Sequence, residues 1–394
     1  MPELLIYNVN IVLTDKILTN HCLVISNGKI KEISPNISHN NIKAVDGQGN
    51  YLCPGFIDLH IHGVHNELID NGAENLSKIC EILPKYGVTS FLPTVCPLPK
   101  GKDAEFLRTL SQTKSNGAQI LGFHLEGPFL SLTGALPPEA LGNTDAQRVN
   151  DLIEAAKPYK AIFSISPEFE NITDLIPIMA KNNTPVFITH TKANVGQTQK
   201  AIEKGACHAT HFYDVFYHPD ETDLGVRPCG AVEAILADDR VSVDFILDGE
   251  HVDPAAVKMA LNCKGRDKVC LITDANIGAG YQPGKYSFGK EEVQFKCFGS
   301  PARGTENSRY PGCLYGSGLT MNKAIKNATE MLGVDLPLAV KMASDNPARV
   351  LRIKNKGAIK EGYDADFVIF DKGFNVLKTF INGNCCYNKQ QESL

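Results

Sequence analysis

No block of lysine and arginine interrupts this chain of 394 residues, whose formal net charge is -5 and whose pI is about 6.1. A basic stripe is the electrostatic footprint of nucleic-acid and anionic-membrane binding, so neither partner is expected. No apolar run approaches the roughly 20 residues that a membrane-spanning helix needs. The first residues, "MPELLIYNVNIVLTD", lack a basic segment followed by a continuous apolar one. They alternate like a strand, so no secretory signal is expected. Twelve cysteines are present, and none forms a C-x-x-C pair. Together these features predict a cytoplasmic protein with reduced thiols rather than a disulfide scaffold or a cysteine-zinc site. There is no internal repeat and no low-complexity segment.

What is present is an ordinary globular composition, 43% hydrophobic and 21% charged. Residues 1–54 read as short strands, with Asn27-Gly28 as a hairpin signal; the tail from 355 reads the same way, with Asn382-Gly383. Both ends are therefore β. The expectation is a small β-sandwich domain built from residues 1–54 and 355–394 around a middle unit, 55–354. In that middle, eight apolar runs alternate with helical patterns: 55–62, 87–94, 119–126, 160–166, 185–190, 205–211, 240–247 and 268–274. Apolar strands separated by helices mean a parallel sheet buried on both faces, and eight such units predict a (β/α)8 barrel of TIM type. The stretch 300–312, "SPARGTENSRYPG", reads as loop.

Polar residues fall at the ends of those strands. Strand one ends in His60 and His62, strand three in Glu126, strand five in His190, strand six in His211 and strand eight in Asp274; His251 follows strand seven. Active sites of this architecture lie at the carboxyl ends of the strands. One histidine in a strand is usually a satisfied core residue, and a buried carboxylate is costly unless it is paired. Four histidines and two carboxylates at ends of one polarity are explained together by a metal. Nitrogen and oxygen donors without cysteine suit one or two divalent ions of zinc, iron, manganese or nickel. Such an ion activates water, and a nearby carboxylate moves the proton. Asp274 suits that second role, with His251 hydrogen-bonding the substrate carbonyl or a nearby hydroxyl. The reaction class is hydrolysis of an amide or related C–N bond. His124 shares the inward face of Glu126, as filled barrel layer or substrate contact. His208 is expected to be structural, and His21 and His39 to lie on the surface.

The motifs "PGFIDLHIHG", "HLEGPF", "GACHATHF", "DGEHVDP", "LITDA", "GSGLTM" and "GAIKEGYDADFVIFD…FINGN" resemble the amidohydrolase superfamily, and within it the N-acetylglucosamine-6-phosphate deacetylase branch, almost end to end. The resemblance implies that Glu126, His190 and His211 hold one metal and that His60 and His62 hold a second, with Glu126 as a bridge. Strand four ends without a lysine, so no carbamylated-lysine bridge is implied. It further implies Asp274 as general base and acid, His251 in contact with substrate, and Gly316, Ser317 and Leu319 in a loop that closes over the sugar. Arg227 matches a residue that reaches phosphate from a neighbouring subunit, implying a homodimer. Three departures stand out. Leu136 occupies a place where the family usually has histidine, Asp214 replaces an asparagine near the phosphate, and "RPCG" replaces "REPG". Asp214 would repel a dianionic phosphate by about 1 kcal/mol or more at an effective dielectric of about 20. The expected reaction is deacetylation of an N-acetyl amino sugar, N-acetylglucosamine 6-phosphate first. The alternatives are another N-acyl or cyclic amide, including an unphosphorylated sugar or an N-acyl-amino acid, and a non-catalytic binding barrel. Against the last stands the retention of every candidate ligand.

Overall fold

Residues 3–35 and 43–391 are described in the computed structural model; His39 lies outside them. The N-terminal strands are β1 (Leu4–Val12), β2 (Ile17–Ser26), β3 (Lys29–Ser34) and β4 (Lys43–Pro54). Asn27 and Gly28 link β2 to β3 with both φ values positive, 50° and 73°. That is the pairing a tight hairpin needs to match the strand twist.

Eight strands then form the barrel: β5 (Phe56–Ile61), β6 (Val88–Val95), β7 (Phe123–Glu126), β8 (Ala161–Ile165), β9 (Val186–Ile188), β10 (Ala206–Ala209), β11 (Ser242–Ile246) and β12 (Val269–Ile272). Each lies beside and parallel to the next. The ring is drawn together where β12 meets β5: the Asp274 N–H donates to His60 O at 2.9 Å and the His62 N–H to Ala275 O at 2.9 Å. Every residue of β6 is buried, as expected of a strand covered on both faces. All eight predicted strands are present. Some of the helices between them start on side-chain caps. Asp145 accepts the main-chain N–H groups of Gln147 and Arg148, and Asn194 forms a capping box with Gln197.

Past the barrel strands, β13 (Gly284–Phe288), β14 (Glu291–Phe295) and β15 (Arg303–Gly304) make a small antiparallel sheet. The chain returns through β16 (Phe367–Phe370), β17 (Val376–Ile381) and β18 (Asn384–Asn388). Both termini then join in one hydrogen-bonded path, β18-β17-β16-β4-β1-β2-β3. The unit expected as a sandwich is thus knit as a continuous seven-stranded sheet, in which β16 pairs antiparallel with β4. Its apolar face gathers Ile6, Ile11, Leu23, Leu52, Phe367 and Phe380, with the two phenylalanine rings stacked at 4.5 Å.

Candidate functional site

Six of the seven predicted chemistry-bearing residues follow their strands so closely that the barrel leaves them no choice of place. His60 is in β5, His62 is just beyond it, and Glu126 is the last residue of β7. His190, His211 and Asp274 each stand two residues past a strand, with φ of 49°, 34° and 45°. Left-handed backbone is uncommon away from glycine and costs about 1–3 kcal/mol, a strain that clusters at functional sites. Here it turns each side chain into the barrel mouth instead of letting the strand's alternation carry it outward.

The distances describe one cluster. His60 Nε2 lies 3.1 Å from His62 Nε2, and both lie 3.4 Å from Asp274 Oδ1. Glu126 divides its oxygens: Oε1 is 3.0 Å from His211 Nε2 and 3.2 Å from His190 Nε2, while Oε2 is 3.3 Å from His62 Nε2 and 3.7 Å from His60 Nε2. His190 Nδ1 donates to Leu132 O at 2.9 Å and His211 Nδ1 to Asp214 O at 3.2 Å. A carbonyl only accepts, so those rings carry their protons on Nδ1 and turn lone pairs inward when neutral. Lone pairs and carboxylate oxygens converge, and such a donor set calls for a cation. A divalent ion with nitrogen and oxygen ligands fits it.

The electrostatics agree. Burial works against protonation of His62 and His211, yet hydrogen bonding to Glu126 and the charges of Glu126 and Asp274 outweigh it, raising His62 to about 9 and His211 to about 10. Glu126 moves the other way: burial opposes its charge, but His60, His190 and His211 hold it well below the usual carboxylate range. The cluster attracts positive charge from whatever source offers it.

The cluster opens into a cavity of about 260 Å³ lined by His62, Glu126, His190, His211, Asp214, Asp274 and Gly316, with Leu136, Phe288 and Tyr315 among the apolar walls. Among the described residues no lysine or arginine lines it. Leu136 is therefore part of the wall, and Asp214 supplies negative charge there. Ser317 and Leu319 do not line the cavity. The Ser317 main-chain N–H donates to Asp274 O at 2.7 Å and its hydroxyl to Thr273 O at 2.5 Å, while Leu319 is buried in the core. His251 also lies off the wall. Its Nδ1 is 2.6 Å from Asp248 Oδ2, and among the described residues its Nε2 is buried with no hydrogen-bond partner. Arg227 is the member left apart: its side chain is 69% exposed and pairs with Glu233 at 2.7 Å.

His124 fills a barrel layer beneath the cluster, with Nδ1 on Leu59 O at 3.1 Å and Nε2 on the Ser164 hydroxyl at 2.5 Å. His208 is paired with Asp244 at 2.7 Å, both fully buried. Several contributors were not anticipated from sequence. Asp58 precedes His60 by two and accepts the Thr273 hydroxyl at 2.6 Å; burial pushes its carboxyl up to about 7 against hydrogen bonds from Thr273 and His60. The period-two spacing Asp58, His60, His62 was the available signal. Threonines precede three site residues, in "THT", "ATH" and "ITD". Thr189 Oγ1 sits 3.0 Å from His211 Nε2. Cys96 Sγ lies 3.6 Å from His62 Nδ1, with Asp70 accepting the Cys96 N–H at 3.3 Å. Cys96 comes from a loop and Asp70 from a short 3-10 turn, and spacing alone carries no sign of either. Phe288, the last residue of β13, packs against His62 with ring centroids 6.1 Å apart.

Residues 51–386 match the amidohydrolase family. The chain is 33% identical over 374 residues to an N-acetylglucosamine-6-phosphate deacetylase of Lysinibacillus sphaericus, covering 90% of each chain. It is 32% identical to an N-acetylgalactosamine-6-phosphate deacetylase of Escherichia coli O157:H7, covering 93% of this chain and 94% of that one. The crystal structure of N-acetylglucosamine-6-phosphate deacetylase from Pasteurella multocida superposes with a TM-score of 0.86 at 29% identity, over 97% of this chain and 99% of that one. Among the described residues no helix is long and apolar enough to cross a membrane. The chain belongs to the amidohydrolase family, and is with it a metal-dependent hydrolase.

Proposed function

We propose that this chain hydrolyses the acetamide of an N-acetyl amino sugar 6-phosphate, N-acetylglucosamine 6-phosphate first, to acetate and the free amine. One observation carries the reading: imidazole lone pairs from three strands and the carboxylates of Glu126 and Asp274 converge at the carboxyl end of the barrel. The names of the similar proteins above support the sugar phosphate. Glu126, His190 and His211 would hold one divalent ion, and His60 and His62, which lie near the other oxygen of Glu126, would hold a second. Zinc, iron, manganese and nickel all accept such ligands. When bound, the ion polarises the acetamide carbonyl and lowers the pKa of water.

Asp274 would take the proton of the attacking water and return it to the leaving nitrogen. Its main chain is gripped by Ser317 and by His60 O, which keeps the carboxylate aimed at the cluster. His251, held through Nδ1 by Asp248, would offer its unpartnered Nε2 to the substrate carbonyl or a neighbouring hydroxyl. Gly316 and Asp214 would touch the sugar from the cavity wall, with Ser317 and Leu319 fixing the loop that carries Gly316. The working division of the chain is a barrel unit of residues 55–354 and a β unit of 1–54 with 355–394.

The phosphate needs a cation that the described cavity wall does not provide. Arg227 of a second copy would supply it, making a homodimer the working unit. The exposed segment around it supports this, since Leu224 is fully exposed and suits burial against another surface. A cytoplasmic setting suits the free thiols and the phosphorylated substrate. Asp214 favours a second reading in which the substrate is an uncharged N-acyl amide. The deciding experiment is acetate release from phosphorylated and plain N-acetylglucosamine and N-acetylgalactosamine, beside N-acetyl amino acids, with metal analysis of the same sample. No release from any sugar sinks the proposal; release from the plain sugars alone installs the second reading.

A further inference from the structure

His60 differs from His190 and His211 in what fixes its ring. Theirs are set by main-chain carbonyls, which no substitution removes. His60 Nδ1 instead lies 3.3 Å from the Thr210 hydroxyl, and that hydroxyl lies 3.2 Å from each oxygen of Asp244. Asp244 also takes the His211 main-chain N–H at 2.6 Å and faces His208 Nε2 at 2.7 Å. His60, His208, Thr210 and Asp244 are all fully buried, so no water competes from bulk.

A hydroxyl has one proton, and an ionised carboxylate only accepts. The groups around Asp244 offer it protons, so the Thr210 proton goes to Asp244 and an oxygen lone pair faces His60. His60 then carries its proton on Nδ1, and Nε2 presents a lone pair to His62, Glu126 and Asp274. We infer that Thr210 is a positioning residue: it transmits the acceptor character of Asp244 to His60 and so sets the tautomer in which His60 can hold a cation. The inference rests on the two-ion reading above. One buried carboxylate thereby orders a residue of each proposed ion, His60 through a hydroxyl and His211 through its main chain. Partners of this kind typically change metal affinity by about 10–100-fold when removed.

The test strips the protein of metal and titrates zinc alone into wild type, Thr210→Val and Thr210→Ser, with elemental analysis of the dialysed products. Thr210→Val keeps the shape and removes the hydroxyl; Thr210→Ser keeps the hydroxyl. Expected is a loss of about 10–100-fold in affinity for one of two equivalents in the valine variant, with serine near wild type. Both equivalents at wild-type affinity in Thr210→Val overturn the inference. A wild type that takes a single equivalent, unchanged when His60 and His62 are both alanine, sinks the two-ion reading instead. Nitrogen-15 spectra of the metal-free wild type decide the tautomer independently of that count and of whether any variant folds. A proton on His60 Nδ1 is expected, and a proton on Nε2 overturns the inference.

Discussion

The Nε2 atoms of His60 and His62 face each other at 3.1 Å, closer than two like lone pairs settle without a shared cation or proton between them. Replacing both histidines with alanine should remove about one equivalent of metal, because Glu126, His190 and His211 keep a separate group of donors. Elemental analysis after dialysis checks this. Loss of all metal would mean that a single ion draws on every ligand.

Glu126 touches all four histidines through its two oxygens. Glu126→Gln keeps the shape but removes the charge that draws a cation to the cluster. Metal stoichiometry should fall below wild type under the same dialysis. An unchanged metal content would take Glu126 out of the ligand set.

Asp274 stands 3.4 Å from two imidazoles and lines the cavity. Asp274→Asn should abolish measurable acetate release, a loss of at least about 100-fold as expected for an acid–base group, while metal content stays near wild type. Metal lost together with activity would recast Asp274 as chiefly a ligand.

The Asp248–His251 pair, with each side chain only 1% exposed, gives stability a pH signature. Burial opposes the charge of His251, but Asp248 outweighs it and raises the imidazole above 6.5; burial likewise opposes Asp248, which His251 holds below 3.8. A raised histidine contributes fully below its unfolded value and loses that contribution as pH climbs through the folded one. A depressed carboxylate contributes fully above its unfolded value and loses it as pH falls through the folded one. Asp248→Asn should therefore lower the stability of metal-free protein by about 1–3 kcal/mol, most between about pH 4 and 6.5. Thermal midpoints across pH check it; a gap to wild type that does not narrow above that window would argue against the ion pair.

The barrel was legible because parallel strands covered on both faces must be apolar runs, as β6 and β12 are. The metal-type cluster was legible because strand ends of one polarity share one mouth. Less was legible where side-chain direction departs from simple alternation. His211 and Thr210 are neighbours in sequence, yet both serve the site, because a φ of 34° at His211 breaks the strand pattern between them. Cys96, in a loop, and Asp70, in a short 3-10 turn, gather beside His62, where sequence spacing predicts no meeting. Ser317 and Leu319 stand in the expected motif but act on the main chain and the core, a distinction that only packing reveals. The small sheet β13-β14-β15 was missed, although Gly289 at φ 58° marks its turn between two alternating runs.

The pairing of β4 with β16 ties the order of synthesis to the order of assembly. A growing chain makes β4 first and then the entire barrel before β16 emerges. Until then β4 has β1 on one side and an open row of N–H and C=O groups on the other. Open edges recruit the wrong neighbours, and unfinished sheets are where nascent chains associate. The barrel, by closing, carries the late strands back to the early one, so β16, made after the barrel, covers the edge that β4 had left open before it.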